Sequence, residues 1–481
     1  MLPCLSLLLF AQIQFELTRL PFVLENGATP EKHLAETMPG GLAVFDYDND
    51  GKLDIFFANG AELPAGKKFP NRLFRNLGNF RFEDVTSAAG LSGEGYSMGA
   101  SAADFDGDGH IDLFVAGLRA NRLYRNLGNG KFADVTAHAG IDSSEWGIAG
   151  AWFDYDRDGL MDLLVVNYGF IDLAKPRACG SPQRVYCNPR FYPPRPNHLY
   201  RNLGGGKFVR TDALDAWPGR GMSAAILDYD QDGRLDAFVT NDGLPNSLFR
   251  NLGNGKFEEM GLLAGVALLD HGKPVASMGV DVDEGKLVVT ALSGETYPVF
   301  AATASGQFED KTAATQIGKL SNPYAGWGVV FADFDNDGHR DLFTANSHVD
   351  DTLANYKQPN TVFRNLGNGK FEAVDAGLAA RVAAHRGAVA ADFDGDGRLD
   401  VVVSVIGETA ELWKNTTTNV GNYVLVPPPP IGATVTVDGV SRLFSPSLGY
   451  ASSLYAPLHF GLGKREKAQE IKVKLPVPPS R

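Results

Sequence analysis

The sequence predicts an all-β protein: a seven-bladed β-propeller closed by an N-terminal strand and followed by a small β-rich C-terminal domain. Three observations carry this expectation. The motif Asp-x-Asp-x-Asp-Gly-x-x-Asp occurs six times intact, beginning at Asp46, Asp104, Asp154, Asp228, Asp333 and Asp392, with a degenerate copy at Asp281. Successive starts lie 58, 50, 74, 53, 52 and 59 residues apart, a period that suits propeller blades or another repeat array. The 55 glycines and 27 prolines favour many short strands joined by tight turns over long helices.

Residues 1–14 read as a signal peptide, because the apolar run Leu5-Ser6-Leu7-Leu8-Leu9-Phe10 is followed by small or polar residues. A plain hydrophobic N-terminal strand is the alternative. Export would place the chain outside the cytoplasm, whether secreted, periplasmic or on the cell surface. No other stretch approaches the roughly 18 apolar residues of a membrane span.

The propeller is expected over residues 15–418. In each unit a small-residue segment such as Gly99-Ala100-Ser101-Ala102-Ala103 leads into the acidic loop, and a strand such as Asp112-Leu113-Phe114-Val115-Ala116 leaves it. Residues 121–132 then read as strand, tight Asn129-Gly130 turn and strand, giving four short antiparallel strands per unit. The phrase Arg-Asn-Leu-Gly marks the turn at 75–78, 125–128, 201–204, 250–253 and 364–367. The last unit ends at Leu412-Trp413-Lys414-Asn415 without its outer strand. Phe15-Glu16-Leu17-Thr18 resembles that strand in other units, such as Phe82-Glu83-Asp84-Val85-Thr86, so the N-terminus is expected to close the ring. Closure removes open sheet edges.

The acidic loops have the form of metal sites. Carboxylates at loop positions 1, 3 and 5 turn toward one point, the glycine at position 6 permits the bend, and the aspartate at position 9 closes the shell. The predicted ligands are Asp46, Asp48, Asp50 and Asp54; Asp104, Asp106, Asp108 and Asp112; Asp154, Asp156, Asp158 and Asp162; Asp228, Asp230, Asp232 and Asp236; Asp333, Asp335, Asp337 and Asp341; and Asp392, Asp394, Asp396 and Asp400. Flexible shells of six or more oxygens favour Ca²⁺ over Mg²⁺, so about six structural Ca²⁺ ions are expected. Solvated turns are the plainer alternative for any single copy. The fifth copy, Asp281-Val282-Asp283-Glu284-Gly285, lacks the third and closing aspartates and is expected to form a plain hairpin.

The formal charge of −13 argues against a nucleic-acid partner, and six Ca²⁺ ions would bring the chain close to neutrality. Of three cysteines, Cys4 lies in the predicted signal peptide, while Cys179 and Cys187 share one proline-rich insertion. A disulfide between them would staple that loop; two free thiols are the alternative.

These residues resemble the FG-GAP or VCBS-type repeats of integrin-α-like propellers, over roughly Phe15 to Asn415. The opening Glu36-Thr37-Met38-Pro39-Gly40-Gly41-Leu42-Ala43-Val44-Phe45-Asp46-Tyr47-Asp48 is similar, more particularly, to bacterial relatives of cartilage acidic protein. That resemblance implies a calcium-binding extracellular architecture with a C-terminal ASPIC/UnbV domain, here over 419–481. Its phrases would be Ile431-Gly432-Ala433-Thr434-Val435 and Leu458-His459-Phe460-Gly461-Leu462-Gly463, with the family's usual Trp-Pro-Ser-Gly-like ending replaced by Leu475-Pro476-Val477-Pro478-Pro479.

Insertions over 59–72, 167–198 and 346–361 fall on the face opposite the acidic loops, where rigid scaffolds often carry recognition loops. Near the axis on that face, Tyr96, Trp146, Arg220, Tyr324, Trp327, His385 and Arg386 form a candidate ligand patch for a glycan or peptide. The plainer alternative is that they plug the channel. No catalytic residues are assigned, since no nucleophile elbow or phosphate-cradling loop occurs. The expected function is a monomeric extracytoplasmic binding or adhesion module for a glycan or an extracellular or envelope protein. The alternatives are a calcium-dependent polysaccharide lyase or hydrolase at the central patch and a structural component of an envelope complex.

Overall fold

The computed structural model describes residues 12–93, 95–303 and 306–476. The predicted signal segment lies outside them apart from residues 12–14. Among the described residues seven sheets each carry four antiparallel strands of the ring. The first strands are Leu42–Phe45, Tyr96–Ala103, Gly147–Phe153, Gly221–Leu227, Val280–Asp283, Gly326–Ala332 and His385–Ala391. Each packs against the first strand of the next sheet, and the seventh packs against the first, so the ring closes around an axis. In the seventh blade Phe15–Val23 pairs antiparallel with Thr409–Asn415, with Phe15 opposite Asn415 and Thr18 opposite Leu412. The N-terminal strand thus supplies the outer strand that the last repeat lacks.

The outer strands are shorter than their sequence suggests. Phe82–Asp84 ends where the Asp84 carboxylate accepts the Thr86 backbone N–H, turning Thr86–Ala89 into a single helical turn. Such local side-chain bonds compete with a strand ladder. The Thr86 hydroxyl then accepts the Leu73 N–H and ties that turn back to the blade.

The C-terminal region does two things. Asn422–Val426 pairs with Leu458–Gly463, and Thr434–Val437, Val440–Leu443 and Ile471–Lys474 form a second small sheet, around a core of Val426, Val435, Val437, Phe460 and Leu462. Between these strands a hairpin, Ser447–Leu448 and Ser452–Tyr455, runs into the axis and adds to the first blade, Ser453 lying parallel beside Ala43. Its tip touches the other blades in turn. Ala451 O accepts from Ala100 N, Ala451 N donates to Ser223 Oγ, and Gly449 exchanges backbone bonds with Val280. The Tyr450 ring meets Trp327 edge-on at 4.9 Å, and its hydroxyl donates to Met38 O. The small residues of the first strands therefore leave room for a plug of protein.

Candidate metal centres

Each intact acidic loop joins the first and second strands of its blade, and two residues per loop adopt left-handed backbone. One is the glycine at position 6, Gly51 in the first loop, with φ 85°. The other is position 4, filled by Asn49, Gly107, Arg157, Gln231, Asn336 and Gly395, all at φ between 56° and 77°. The bend was expected at position 6 alone. Position 4 accommodates four residue types because the position-1 carboxylate holds the turn: Asp46 accepts from the backbones of Asp50 and Gly51, and Asp104 from Gly107, Asp108 and Gly109.

The position-9 aspartate is the buried keystone. Asp54 accepts Tyr47 N on one oxygen and Asn76 N on the other, and Asp112, Asp162, Asp236, Asp341 and Asp400 repeat the pattern. Burial pushes the carboxyls of Asp54, Asp112 and Asp162 up to about 8 and that of Asp236 up to about 7. Burial also raises Asp154 to about 6 and Asp333 to about 7, with the neighbouring loop aspartates adding to the effect. Carboxylates held this close favour a cation among them.

The Arg-Asn-Leu-Gly phrase, read from the sequence as a turn, braces these loops. Arg75 pairs with Asp48 at 2.8 Å and Asp50 at 3.3 Å, Arg125 with Asp106 and Asp108, and Arg201 with Asp156 and Asp158. Asn126 donates to Ile111 O in its own loop and to Tyr47 O in the preceding blade's loop, and Asn76, Asn202, Asn251 and Asn415 make the same stitch. Recurrence of the phrase after five of the six intact loops was the available signal.

Acidic loops alone do not make metal sites, so the fit rests on orphaned atoms. Asp48, Asp106, Asp230 and Asp335 each turn one oxygen to an arginine while the other, Oδ1, is buried without a partner; Asp228 Oδ1 is also orphaned. Ligand oxygens of Asp46, Asp48 and Asp50, of Asp104, Asp106 and Asp108, of Asp154, Asp156 and Asp162, of Asp228, Asp230 and Asp236, and of Asp333, Asp335 and Asp341 lie within 4.8 Å of one another. An all-oxygen donor set of this kind fits a hard cation. Bound there, such an ion supplies charge neutralisation.

The fifth and sixth units depart from the rest. Val280–Asp283 and Lys286–Val289 form a tight hairpin through Glu284 and Gly285, at φ 46° and 75°, as the degenerate motif predicts. Arg340 and Arg442 both approach Asp283 Oδ1, at 3.2 and 3.7 Å. Above the sixth loop sits the C-terminal domain: Gly421 N donates to Asp335 O, Gly463 N to Asn336 O, and a Cβ on Gly461 would fall 1.9 Å from Asp333 Oδ2. Only glycine permits that approach. Asp333, Asp335 and Asp341 are consequently buried. A cleft of about 1370 Å³ lies between the C-terminal domain and the remaining loop face, where Asp46, Asp104, Asp228 and Asp392 reach its wall.

Of the seven residues expected in an axial ligand patch, Tyr324 is half-buried and the others are buried. Tyr96 donates to Asn26 O, and Trp146 packs against Tyr168 and Tyr192. Arg220 donates to Asp242 O and Tyr192 O. His385 meets Glu411 at 3.2 Å and Asn346 O at 3.1 Å, and Arg386 lies 4.0 Å over the Trp327 ring while donating to Thr37 O. His385 and Arg386 have no exposed surface. These side chains cap the core around the plug. Cys179 and Cys187 form a disulfide within the 167–198 insertion. No helix among the described residues is long and apolar enough to cross a membrane.

A family model for the FG-GAP-like repeat matches residues 46–115, 104–165 and 347–403. Cartilage acidic protein 1 of Mus musculus is 25% identical over 460 residues, covering 91% of this chain; the chain spans 61% of that protein's length. Among solved structures, an Agrocybe aegerita lectin that recognises non-reducing terminal N-acetylglucosamine has 15% identity and a TM-score of 0.44, covering 77% of this chain and 86% of the lectin. YCF48 bound to D1 peptide has 9% identity and a TM-score of 0.46, covering 83% and 94%. The ring itself stands on its own strand pairing. FG-GAP-like repeats thus account for the acidic loops at 46–54, 104–112, 154–162 and 392–400, and the chain is similar to cartilage acidic protein 1 over most of its length.

Proposed function

We propose that this protein is an extracytoplasmic binding module for a glycan or protein partner, built on a propeller that holds six structural Ca²⁺ ions. The observation that carries the reading is the orphaned carboxylate oxygen repeated from loop to loop beside an arginine-paired one. Identical loops repeated around a ring suit a scaffold better than a reaction centre. The Cys179–Cys187 disulfide accords with an oxidising compartment. Residues 419–481 serve as an ASPIC/UnbV-like domain that locks onto the ring through its plug.

Calorimetric titration with Ca²⁺, paired with metal analysis of the dialysed protein, should count six ions; fewer than four, or equal uptake of Mg²⁺, would refute the calcium scaffold. For the binding role, the calcium-loaded full chain is offered to a glycan array and to envelope and extracellular-protein extracts. Retention of a defined ligand that survives washing supports the reading, and absence of any ligand in both screens sinks it.

A further inference from the structure

The cations of this protein are unevenly satisfied. On the acidic-loop face the recurring arginines are matched by aspartates, as at Arg75, Arg125, Arg201 and Arg364. Opposite that face, residues 170–195 carry five cations, Lys175, Arg177, Arg184, Arg190 and Arg195, against one acid, Asp172, in a chain of net charge −13. Among the described residues Lys175, Arg177, Arg184 and Arg190 form no ion pair with a carboxylate, and Asp172 spends its carboxylate on the backbones of Ala174 and Lys175.

These cations are also held in place. The disulfide closes the segment between Cys179 and Cys187. Arg177 and Arg190 both lie over the Phe191 ring, 4.7 and 4.9 Å from its centre, and all three residues are exposed. Nearby, Arg195 lies over Phe170 at 5.3 Å. Stacking of this kind orients a guanidinium while leaving its in-plane donors free for a carboxylate or sulfate.

We infer that the disulfide-stapled insertion is an interaction surface for an anionic polysaccharide, engaged by Arg177 and Arg190 with support from Lys175. This rests on the binding-module reading and assigns its site and ligand chemistry. A folded protein partner needs about 800 Å² of complementary surface per side. A carboxylated or sulfated chain is held by a few oriented cations on a raised loop, which is what the insertion offers.

The test uses the full-length, calcium-loaded protein on immobilised polygalacturonate, dextran sulfate and neutral dextran, with duplex DNA as a fourth surface. Binding to at least one charged polysaccharide, not to dextran, and its loss in about 1 M salt, where the screening length is about 3 Å, are expected. Arg177→Glu with Arg190→Glu should weaken it at least about tenfold, or about 1.4 kcal/mol, without changing the melting temperature. Arg177→Lys with Arg190→Lys should keep most of the affinity. Unchanged binding by the Glu variant overturns the site and leaves the binding-module reading standing, provided the parent binds. Equal binding to dextran, or tighter binding to DNA, overturns the ligand class. A parent that binds neither these polymers nor anything in the screens above overturns both.

Discussion

The fifth and sixth blades solve one electrostatic problem in two ways. In the fifth, the remnant carboxylates Asp281 and Asp283 are buried, and the cations beside Asp283 are the side chains of Arg340 and Arg442. Arg442 comes from the C-terminal domain, where it also stacks 4.3 Å from the Phe460 ring and donates to His459 O. Burial lowers its guanidinium to about 10. In the sixth, Asp333, Asp335 and Asp341 keep the full motif, and the same domain covers them with backbone from Gly421, Gly461 and Gly463. In the fifth loop two guanidiniums stand beside Asp283, whereas in the sixth Arg364 takes one oxygen of Asp335 and leaves its Oδ1 without a partner. Losing the metal motif therefore need not leave a blade uncompensated, provided a guanidinium arrives from elsewhere. The stitch between neighbouring loops is lost with the motif: among the described residues the Asn365 side-chain amide, which would reach into the fifth loop, donates to Arg340 O of its own loop alone.

The largest test of this contrast is metal removal. An ion present at a hundredfold its dissociation constant adds about 2.7 kcal/mol to stability, and six such sites together rival the roughly 5–15 kcal/mol of a whole domain. Chelation should therefore cost on the order of 10 kcal/mol and drop the melting temperature steeply by calorimetry. Under partial chelation, hydrogen exchange should rise in the intact loops while the Val280–Val289 hairpin keeps its protection. Simultaneous loss of that hairpin's protection would break the comparison.

Acidity should partly replace the metal. Without it, the carboxyls of Asp54, Asp112 and Asp162 sit at about 8 and those of Asp236 and Asp333 at about 7 in the folded state, raised by burial, against about 3.9 in an unfolded chain. The folded protein then binds more protons than the unfolded between those limits, so stability falls as pH rises. This contribution is complete below about pH 4 and is lost as pH climbs through about 7 to 8. Metal-free protein should melt higher at pH 5 than at pH 8, and saturating Ca²⁺, by displacing those protons, should erase that order. A metal-free melting temperature that rises toward pH 8 would contradict it.

Arg442→Met isolates the fifth blade. It leaves Asp283 with Arg340 alone and should cost about 3 kcal/mol, as for a buried pair losing one partner. Added Ca²⁺ should not restore the loss, and limited proteolysis should release the C-terminal domain sooner. Recovery in calcium would mean the fifth loop retains a metal site.

The repeated loops and the closing N-terminal strand were legible in the sequence because each loop is one local phrase and Phe15-Glu16-Leu17-Thr18 resembles the outer-strand phrase of the other units. The bracing by Asn76 or Asn126 was not, since it depends on strand pairing across a blade and on a contact with the preceding one. The axial plug was still less visible: Ser447–Tyr455 carries small residues and no motif, yet its entry turns Trp327 from a candidate contact for a ligand into a partner for Tyr450. Gly461 stands within a recognisable phrase, but its reason, closeness to Asp333, appears only when the C-terminal domain meets the sixth loop.

The finest distinction lies between an open intact loop and the sealed one. Asp106 and Asp335 occupy the same position 3, each with an arginine on one oxygen and an orphaned Oδ1. The second loop is exposed at Asp108 and Gly109, so water can enter and replace a lost carboxylate, a substitution Ca²⁺ accepts readily. The sixth is covered by backbone at Gly421, Gly461 and Gly463, which leaves little room for water. Asp335→Ala should therefore forfeit its ion, about 2.7 kcal/mol at a hundredfold excess of calcium. Asp106→Ala should cost only about 1 kcal/mol, within the ordinary range for a single substitution. Melting curves in excess Ca²⁺ should rank parent above Asp106→Ala above Asp335→Ala, with earlier proteolysis of the C-terminal domain only in the last. Equal melting of parent and Asp106→Ala would remove the second loop as a structural metal site. Equal losses in the two variants would show instead that the C-terminal domain does not control entry to the sixth loop.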